Sequence, residues 1–445
     1  MKGRHALILG YGRSGRAAAS YIAARGGSVR VIDRADTPEL RADLDRAGIT
    51  GRLGGYGPED LNGRDLLVVS PGVAWDEPLV ETARQRGIEV TSEIDLFFRA
   101  CPSHIAGITG TNGKTTTTAL TTEVFRAGGL RVMRGGNIGE PVLDRIDQLR
   151  PNDWVVLELS SFQLESITTP RLNIGVVLNV TPDHLDRHGS LAAYVDAKAR
   201  IFANQSPADC AVLNADDDTA RVLAARTRAH VVWFSRLRPL EHGVFVRDAW
   251  VAARLNGHVE EICPVGEIVL RGAHNVENVL AATACALWAG IAPGTIRRGI
   301  GKFRGVAHRI EHVRAVRGVH YYNDSKGTNV ASTLKALESF GEPIVLIAGG
   351  KGKGQDWAPL AAAARGRVRH ALVIGEDGPT LAAALGAASI PVTASPSMEA
   401  AVDAARRLAE PGDVVLLSPA CASFDMFDNF EHRGDVFRKL VERLD

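Results

Sequence analysis

HIAGITGTNGKTTTTALTTEVF, His104 to Phe125, contains an apolar run rich in β-branched residues that stops at Gly110. A glycine turn follows, and Lys114 opens a stretch with the length and composition of a helix. Strand, glycine turn, lysine, hydroxyl and helix in this order make a cradle for phosphate. The glycines let backbone N–H groups face an anion, Lys114 adds charge, and Thr115 offers an oxygen to magnesium. A turn that only caps a helix would explain neither the lysine nor the hydroxyls after it. The spacing departs from the strict GxxxxGK[ST] form, because Ile108 stands where its first glycine belongs; the glycines are Gly107, Gly110 and Gly113.

The same alternation recurs on both sides of this segment. Short β-branched runs ending in glycine or a polar residue are separated by alanine- and arginine-rich helical stretches, the pattern of βαβ units and parallel sheets. The runs fall into three groups. HALILG (His5 to Gly10), VRVID (Val29 to Asp33), DLLVVSPG (Asp65 to Gly72) and IEVTSE (Ile88 to Glu93) form the first. HIAGITG, DWVVLELS (Asp153 to Ser160), IGVVLNV (Ile174 to Val180), CAVLNADD (Cys210 to Asp217) and HVVWFS (His230 to Ser235) form the second. VHYYNDS (Val319 to Ser325), PIVLIAGG (Pro343 to Gly350), HALVIG (His370 to Gly375) and DVVLLSPA (Asp413 to Ala420) form the third. Arg99 to Ser103, with Pro102, and Gly299 to Gly305, rich in glycine, read as linkers. The expectation is three α/β domains, residues 1–99, 100–304 and 305–445, which suits a chain of 445 residues. Ligands favour the carboxyl ends of parallel strands and domain junctions, so a site is expected there.

Composition narrows the classes. A net charge of +1 gives no global field toward nucleic acid or an anionic membrane. The five cysteines are scattered without a CxxC pair, which argues against structural zinc and a disulfide framework. The apolar run at the N-terminus is too short for a signal segment, and the most apolar stretch, Val279 to Ala292, suits a buried helix better than a bilayer span. The expectation is a cytoplasmic protein with no membrane insertion and no nucleic-acid partner.

Other motifs add chemistry. Glu158 ends the strand of DWVVLELSSFQLE; such a carboxylate is more often solvated, but a phosphate loop needs an acid from a neighbouring strand to hold magnesium. TPDHLDRH, Thr181 to His188, packs Asp183, His184, Asp186 and His188 together. Spacing alone leaves zinc, a helix-capping loop and magnesium open, and magnesium suits the phosphate loop better than zinc. GYGRSG, Gly10 to Gly15, follows a strand and opens a helix, with Asp33 ending the next strand. Taken alone, this dinucleotide fingerprint argues for a nicotinamide or flavin enzyme, yet its physics asks only for a diphosphate and a hydroxyl-rich partner, which a UDP-sugar also supplies. NDSKGTN (Asn323 to Asn329), GGKGKGQD (Gly349 to Asp356) and SPACASFDMFDNF (Ser418 to Phe430) follow strands of the third group; each alone is as readily turn chemistry, and together they suit a small dicarboxylate.

TGTNGKTT, ELSSFQLE, NVTPDHLDRH, YVDAKARIF, GAHNVENVLAA, VAHRIE, NDSKGTN and SPACASFDMF, in this order, resemble the Mur ligase family of peptidoglycan synthesis. The resemblance runs from Gly10 to about Phe430 and, within the family, is to the branch that joins D-glutamate to UDP-N-acetylmuramoyl-L-alanine. It implies a Rossmann-like N-terminal domain for the UDP substrate, a central P-loop ATPase-like domain with a mostly parallel sheet, and a C-terminal Rossmann-like α/β domain for the amino acid. It implies a monomer that uses ATP and two magnesium ions. The catalytic set would be Lys114, Glu158, His184 and Lys198. Gly110, Thr111, Asn112, Gly113, Lys114, Thr115 and Thr116 would hold the ATP phosphates, completed by Asn275, Asn278, Arg309 and Asp324. The metal ligands would be Thr115, Glu158, His184 and Lys198, the last as a carbamate, because an ammonium cannot ligate magnesium. Arg13, Ser14, Asp33, Arg34, Ser70, Pro71 and Gly72 would bind the UDP part, with Asn137 and Gln163 nearer the muramoyl group. Lys326, Thr328, Lys353, Ser423, Phe424 and Phe430 would form the D-glutamate pocket. Gly327 stands where a small side chain is expected, and Phe424 where leucine is common.

Overall fold

The computed structural model describes residues 1–445 except 169, 170, 256 and 353, and the side chain of Asp186. Its strands form three sheets. The first holds Thr50–Leu53, Ser28–Asp33, His5–Leu9, Leu66–Val69 and Glu89–Thr91 in that spatial order, all parallel. Its middle strand is apolar on both faces because both are covered; Ala6 to Leu9 are wholly buried. The helix Arg13–Ala24 packs its small Ala17, Ala18 and Ala19 inward. Gly15 is required there, since a Cβ would stand 2.0 Å from the Gly10 carbonyl oxygen.

The second sheet has nine strands, running from an antiparallel edge (Val259–Pro264, Trp250–Arg254) through Gly243–Arg247, His230–Ser235, Cys210–Asn214, Ile174–Val177 and His104–Thr109 to Trp154–Glu158 and Val132–Gly136. All pairings apart from the two that involve Trp250–Arg254 are parallel. His104–Thr109 is an interior strand, between Ile174–Val177 and Trp154–Glu158. The chain passes from it to the edge strand Val132–Gly136, returns through Trp154–Glu158 on the same side, and then crosses to Ile174–Val177 on the other, so the carboxyl end of His104–Thr109 is a topological switch point. The third sheet orders Glu311–Val316, Val319–Asn323, Val414–Leu417, Ile344–Gly349, Val368–Ile374 and Val392–Ala394, with only the first pairing antiparallel.

By contact density the chain divides into Met1–Glu267 with Glu277–Gly301, which carries the first two sheets, and Ile268–Val276 with Lys302–Asp445, which carries the third. The apolar segment from Val279 is a buried helix, Ala273–Trp288, and among the described residues no helix is long and apolar enough to cross a membrane. The division between the two units falls inside the segment Gly299 to Gly305, whose start is helical. Gly299 and Gly301 lie inside the helix Pro293–Lys302, and Gly299 faces the core because a Cβ would meet the Val124 Cα at 3.0 Å. Gly299 serves close packing, whereas a Cβ on Gly301 would meet nothing within 4 Å. Four of the five cysteines are buried, and no disulfide forms.

Candidate active site

The helix Lys114–Ala127 starts from Gly113, whose φ of +85° is the left-handed region that favours glycine. The loop before it is fastened to the neighbouring crossover. Thr111 N–H donates to the Asn179 carbonyl (3.0 Å), Asn112 N–H to Asn179 Oδ1 (2.9 Å), and Thr111 Oγ1 to the Thr181 carbonyl (3.0 Å). Asn278 closes the back, accepting the Thr117 hydroxyl at 3.0 Å. Thr115 and Thr116 are buried in the first helical turn.

Two lysines converge on one oxygen. Lys114 Nζ donates to the carbonyls of Gly110 (2.9 Å) and Thr111 (2.8 Å), and Lys198 Nζ donates to the same Gly110 carbonyl at 2.9 Å. Lys198 is 1% exposed and sits 4.4 Å above the Tyr194 ring. Burial, then the Lys114 charge, lowers its pKa to about 7, while Asp183 pulls the other way. A buried amine without full charge is a nucleophile.

Glu158 leaves the adjacent strand in register with Ile108. Its Oε1 accepts from Asn137 Nδ2 at 3.2 Å; its Oε2 is buried without a hydrogen-bond partner. An orphaned carboxylate oxygen beside a phosphate loop fits a hard cation. His184 lies in the loop after Ile174–Val177, with its backbone at φ +52° and its N–H on Asp183 Oδ1 (2.9 Å). His188 turns elsewhere: its ring is bonded to Ser161 and Glu165. Among the described residues no three His, Cys, Asp or Glu side chains converge as a metal cluster.

The first-sheet residues gather at the carboxyl end of their strands. Asp33 fastens the glycine turn itself, accepting from Tyr11 N–H (2.7 Å) and Ala35 N–H (2.8 Å), and the Ser70 hydroxyl donates to the Gly10 carbonyl (2.7 Å). Arg34 is paired twice with Glu77 at 2.9 Å. Arg13 donates to the Gly139 carbonyl at 3.3 Å, Ser14 is half-buried, and Pro71 and Gly72 form the turn beyond Ser70. The amide oxygen of Gln163 accepts from Ser160 N–H (3.1 Å) and hydroxyl (3.2 Å), closing a capping box at the start of the helix Ser161–Ser166.

In the carboxy-terminal unit, Asp324 is buried and held by the Ser418 hydroxyl (2.8 Å) and Ile310 N–H (3.2 Å); burial raises its pKa to about 7. Arg309 Nε is buried with no hydrogen-bond partner, and Asn275 Nδ2 donates to the Arg271 carbonyl at 2.6 Å. Gly327 is explained: a Cβ would lie 2.7 Å from Asp324 Oδ2. Lys326 Nζ stands 5.6 Å over the Phe430 ring, and Thr328 N–H returns to the Lys326 carbonyl at 2.9 Å. Ser423 is buried, its carbonyl accepting from Met426 and Phe427, whereas Phe424 is 70% exposed. Lys353 lies outside the described residues.

Three family models match the chain: Mur ligase MurD-like, N-terminal domain over residues 4–92, Mur ligase middle domain over 108–286, and Mur ligase, glutamate ligase domain over 308–421. The UDP-N-acetylmuramoylalanine--D-glutamate ligase of Pelotomaculum thermopropionicum is 47% identical over 442 residues, covering 98% of this chain and 97% of that one. The chain belongs to the Mur ligase family. The protein of the same name from Koribacter versatilis is 44% identical across 100% of this chain and 98% of its own. Among solved structures, UDP-N-acetylmuramate-alanine ligase from Thermotoga maritima (TM-score 0.60, 20% identity, 98% and 99% coverage) and MurF from Acinetobacter baumannii (TM-score 0.61, 17% identity, 87% and 93% coverage) share the fold.

Sequence reasoning missed one residue of this Mur ligase. Arg433 is wholly buried, donating to the Ser325 hydroxyl (2.9 Å) and to the carbonyls of Ser325 (2.8 Å), Cys421 (3.1 Å) and Ala422 (3.2 Å). It ties NDSKGTN to SPACAS. The signal was present: Arg433 shares a helix stripe with Phe437 and Val441, both core residues.

Proposed function

We infer that the chain is an ADP-forming amide ligase that adds D-glutamate to UDP-N-acetylmuramoyl-L-alanine in peptidoglycan precursor synthesis. The observation that carries this is the convergence of Lys114 and Lys198 on the Gly110 carbonyl, in a chain 47% identical along its length to a protein of that name. The substrate carboxylate attacks the γ-phosphorus of ATP, ADP departs, and an acyl phosphate forms. The amine of D-glutamate then attacks the acyl carbon and phosphate leaves. Carboxylates are poor electrophiles, so phosphorylation makes the amide bond accessible.

The segment Gly110 to Thr116 holds the phosphates, through the N–H groups not already bonded to Asn179, and Lys114 neutralises the charge that develops during transfer. Two magnesium ions neutralise phosphate charge when bound. Thr115, Glu158, His184 and Lys198 as its carbamate would hold them, and the orphaned Glu158 Oε2 fits that role. With a pKa of about 7, Lys198 is partly neutral near neutral pH; its amine can add carbon dioxide, losing a proton and gaining a carboxylate. Asn275, Asn278, Arg309 and Asp324 complete the nucleotide site. Arg13, Ser14, Asp33, Arg34, Ser70, Pro71 and Gly72 take the UDP part, and Asn137 and Gln163 the muramoyl side. Lys326, Thr328, Ser423, Phe424 and Phe430 take D-glutamate.

Domain boundaries at 99/100 and 304/305, a monomeric cytoplasmic enzyme, and no nucleic-acid partner complete the proposal. Its test is release of ADP and phosphate with UDP-N-acetylmuramoyl-L-alanine across an amino-acid panel. D-glutamate is expected to drive turnover. Brisk turnover with L-glutamate or a diamino acid in its place would overturn the specificity.

A further inference from the structure

His188 is a member of TPDHLDRH to which the ligase reading gives no task. Its side chain is 1% exposed, and both ring nitrogens are engaged: Nδ1 lies 2.9 Å from Glu165 Oε1 and Nε2 3.0 Å from Ser161 Oγ. In the neutral ring, Nδ1–H donates to Glu165 and Nε2 accepts the Ser161 hydroxyl. Serine, histidine and glutamate in this order have the form of a nucleophile relay. Ser161 is only 3% exposed, however, so the hydroxyl serves as a tether.

The ring faces aromatic neighbours. Phe162 stacks on one side (centroids 5.4 Å apart, planes 19°), and Tyr194 lies 5.2 Å away. The Tyr194 hydroxyl is 3.2 Å from Thr111 Oγ1, and that oxygen also donates to the Thr181 carbonyl. Tyr194 is 1% exposed and underlies Lys198. Thus one buried ring, fixed at two points, stands behind the tyrosine that touches both the phosphate loop and the carbamate lysine. Burial with bonded polar atoms leaves such a group few alternative positions.

We propose that His188 is a positioning residue for the phosphate loop: Ser161 and Glu165 hold its ring, the ring sets Tyr194, and Tyr194 sets Thr111. This rests on the ligase reading. A loop held less firmly presents its N–H groups to ATP in more than one arrangement, which weakens nucleotide binding and transfer while sparing the distant UDP contacts.

His188→Phe keeps an aromatic ring and removes both tethers. Its kcat/KM for ATP is expected to fall about tenfold, mostly through KM, with the KM for the UDP substrate changed by less than about twofold. Tyr194→Phe is expected to act in the same direction. The double variant should be no worse than the more damaged single, because both act along one path. Near-UV circular dichroism establishes that each variant is folded, and calorimetry with ADP alone reads the loop without turnover. A folded His188→Phe that binds ADP as the wild type does, with an unchanged KM for ATP, would overturn the proposal, as would losses that multiply in the double variant. Wild-type protein that fails to bind ADP would instead overturn the ligase reading itself.

Discussion

Lys198 and Arg433 are both cations buried to 1% exposure or less, and the protein treats them in opposite ways. Arg433 is enclosed by a hydroxyl and three carbonyls and keeps its charge; burial lowers its pKa only to about 10. Lys198 meets a carbonyl already used by Lys114, and its pKa falls to about 7. One site is complete as folded and acts as a clamp. The other sets two amines on one carbonyl oxygen, and the strand paired with His104–Thr109 ends in Glu158, whose Oε2 is buried with no hydrogen-bond partner.

The sharpest way to break this contrast is Lys198→Ala, expected to lower kcat by roughly a hundredfold or more. ADP release in bicarbonate buffer, with peptide mass to detect the carbamate on the wild type, reads the result; full activity of the variant would end the carbamate role. Next is Arg433→Lys, which cannot span the Ser325 and Cys421 carbonyls with one fork. It is expected to cost about 3 kcal/mol, visible as a lower urea midpoint. An unmoved midpoint would mean the clamp is dispensable.

Titration sharpens the comparison further. Lys198 holds its proton to about 7 in the fold against 10.5 unfolded, so between those values the unfolded chain binds the extra proton and stability rises with pH. Asp324 is raised from 3.8 to about 7, so the folded chain binds the extra proton and stability falls as pH climbs through that window. In carbonate-free buffer, Lys198→Met should flatten the upper slope and Asp324→Asn the lower one, each by about 1 to 3 kcal/mol across its window. Equal slopes in variant and wild type would refute the assignment. The smallest effect belongs to Phe424→Leu: the side chain is exposed, and unfolding should shift by less than about 0.5 kcal/mol.

Much of this was legible in the sequence, for a physical reason. Core strands of parallel sheets are apolar on both faces, so HALIL, HIAGIT and HVVWFS stand out as continuous runs. Edge strands lack that pressure. TGRL at Thr50–Leu53, VMRGG at Val132–Gly136 and VTA at Val392–Ala394 are short, glycine-bearing or half exposed, and were not recognised. Neither was the antiparallel excursion from Gly243 to Pro264. At the site, Lys114 and Glu158 were visible because adjacent strands deliver them to one crevice. The capping box that Gln163 closes was not read, because a capping glutamine and a ligand-binding glutamine look alike in one letter, and Arg433 was missed because a charged residue on a helix is ordinarily assigned to water.

The buried thiols have a practical consequence. Burial raises Cys263 to about 11 and Cys285 and Cys421 to about 12, Cys210 is also raised, and Cys101 is only partly accessible with its thiol raised as well. Thiolates at neutral pH are therefore scarce throughout the native chain. Phe424→Cys would place one ordinary, exposed thiol on the SPACASF segment, so a single dye could report amino-acid binding without first stripping the natural cysteines.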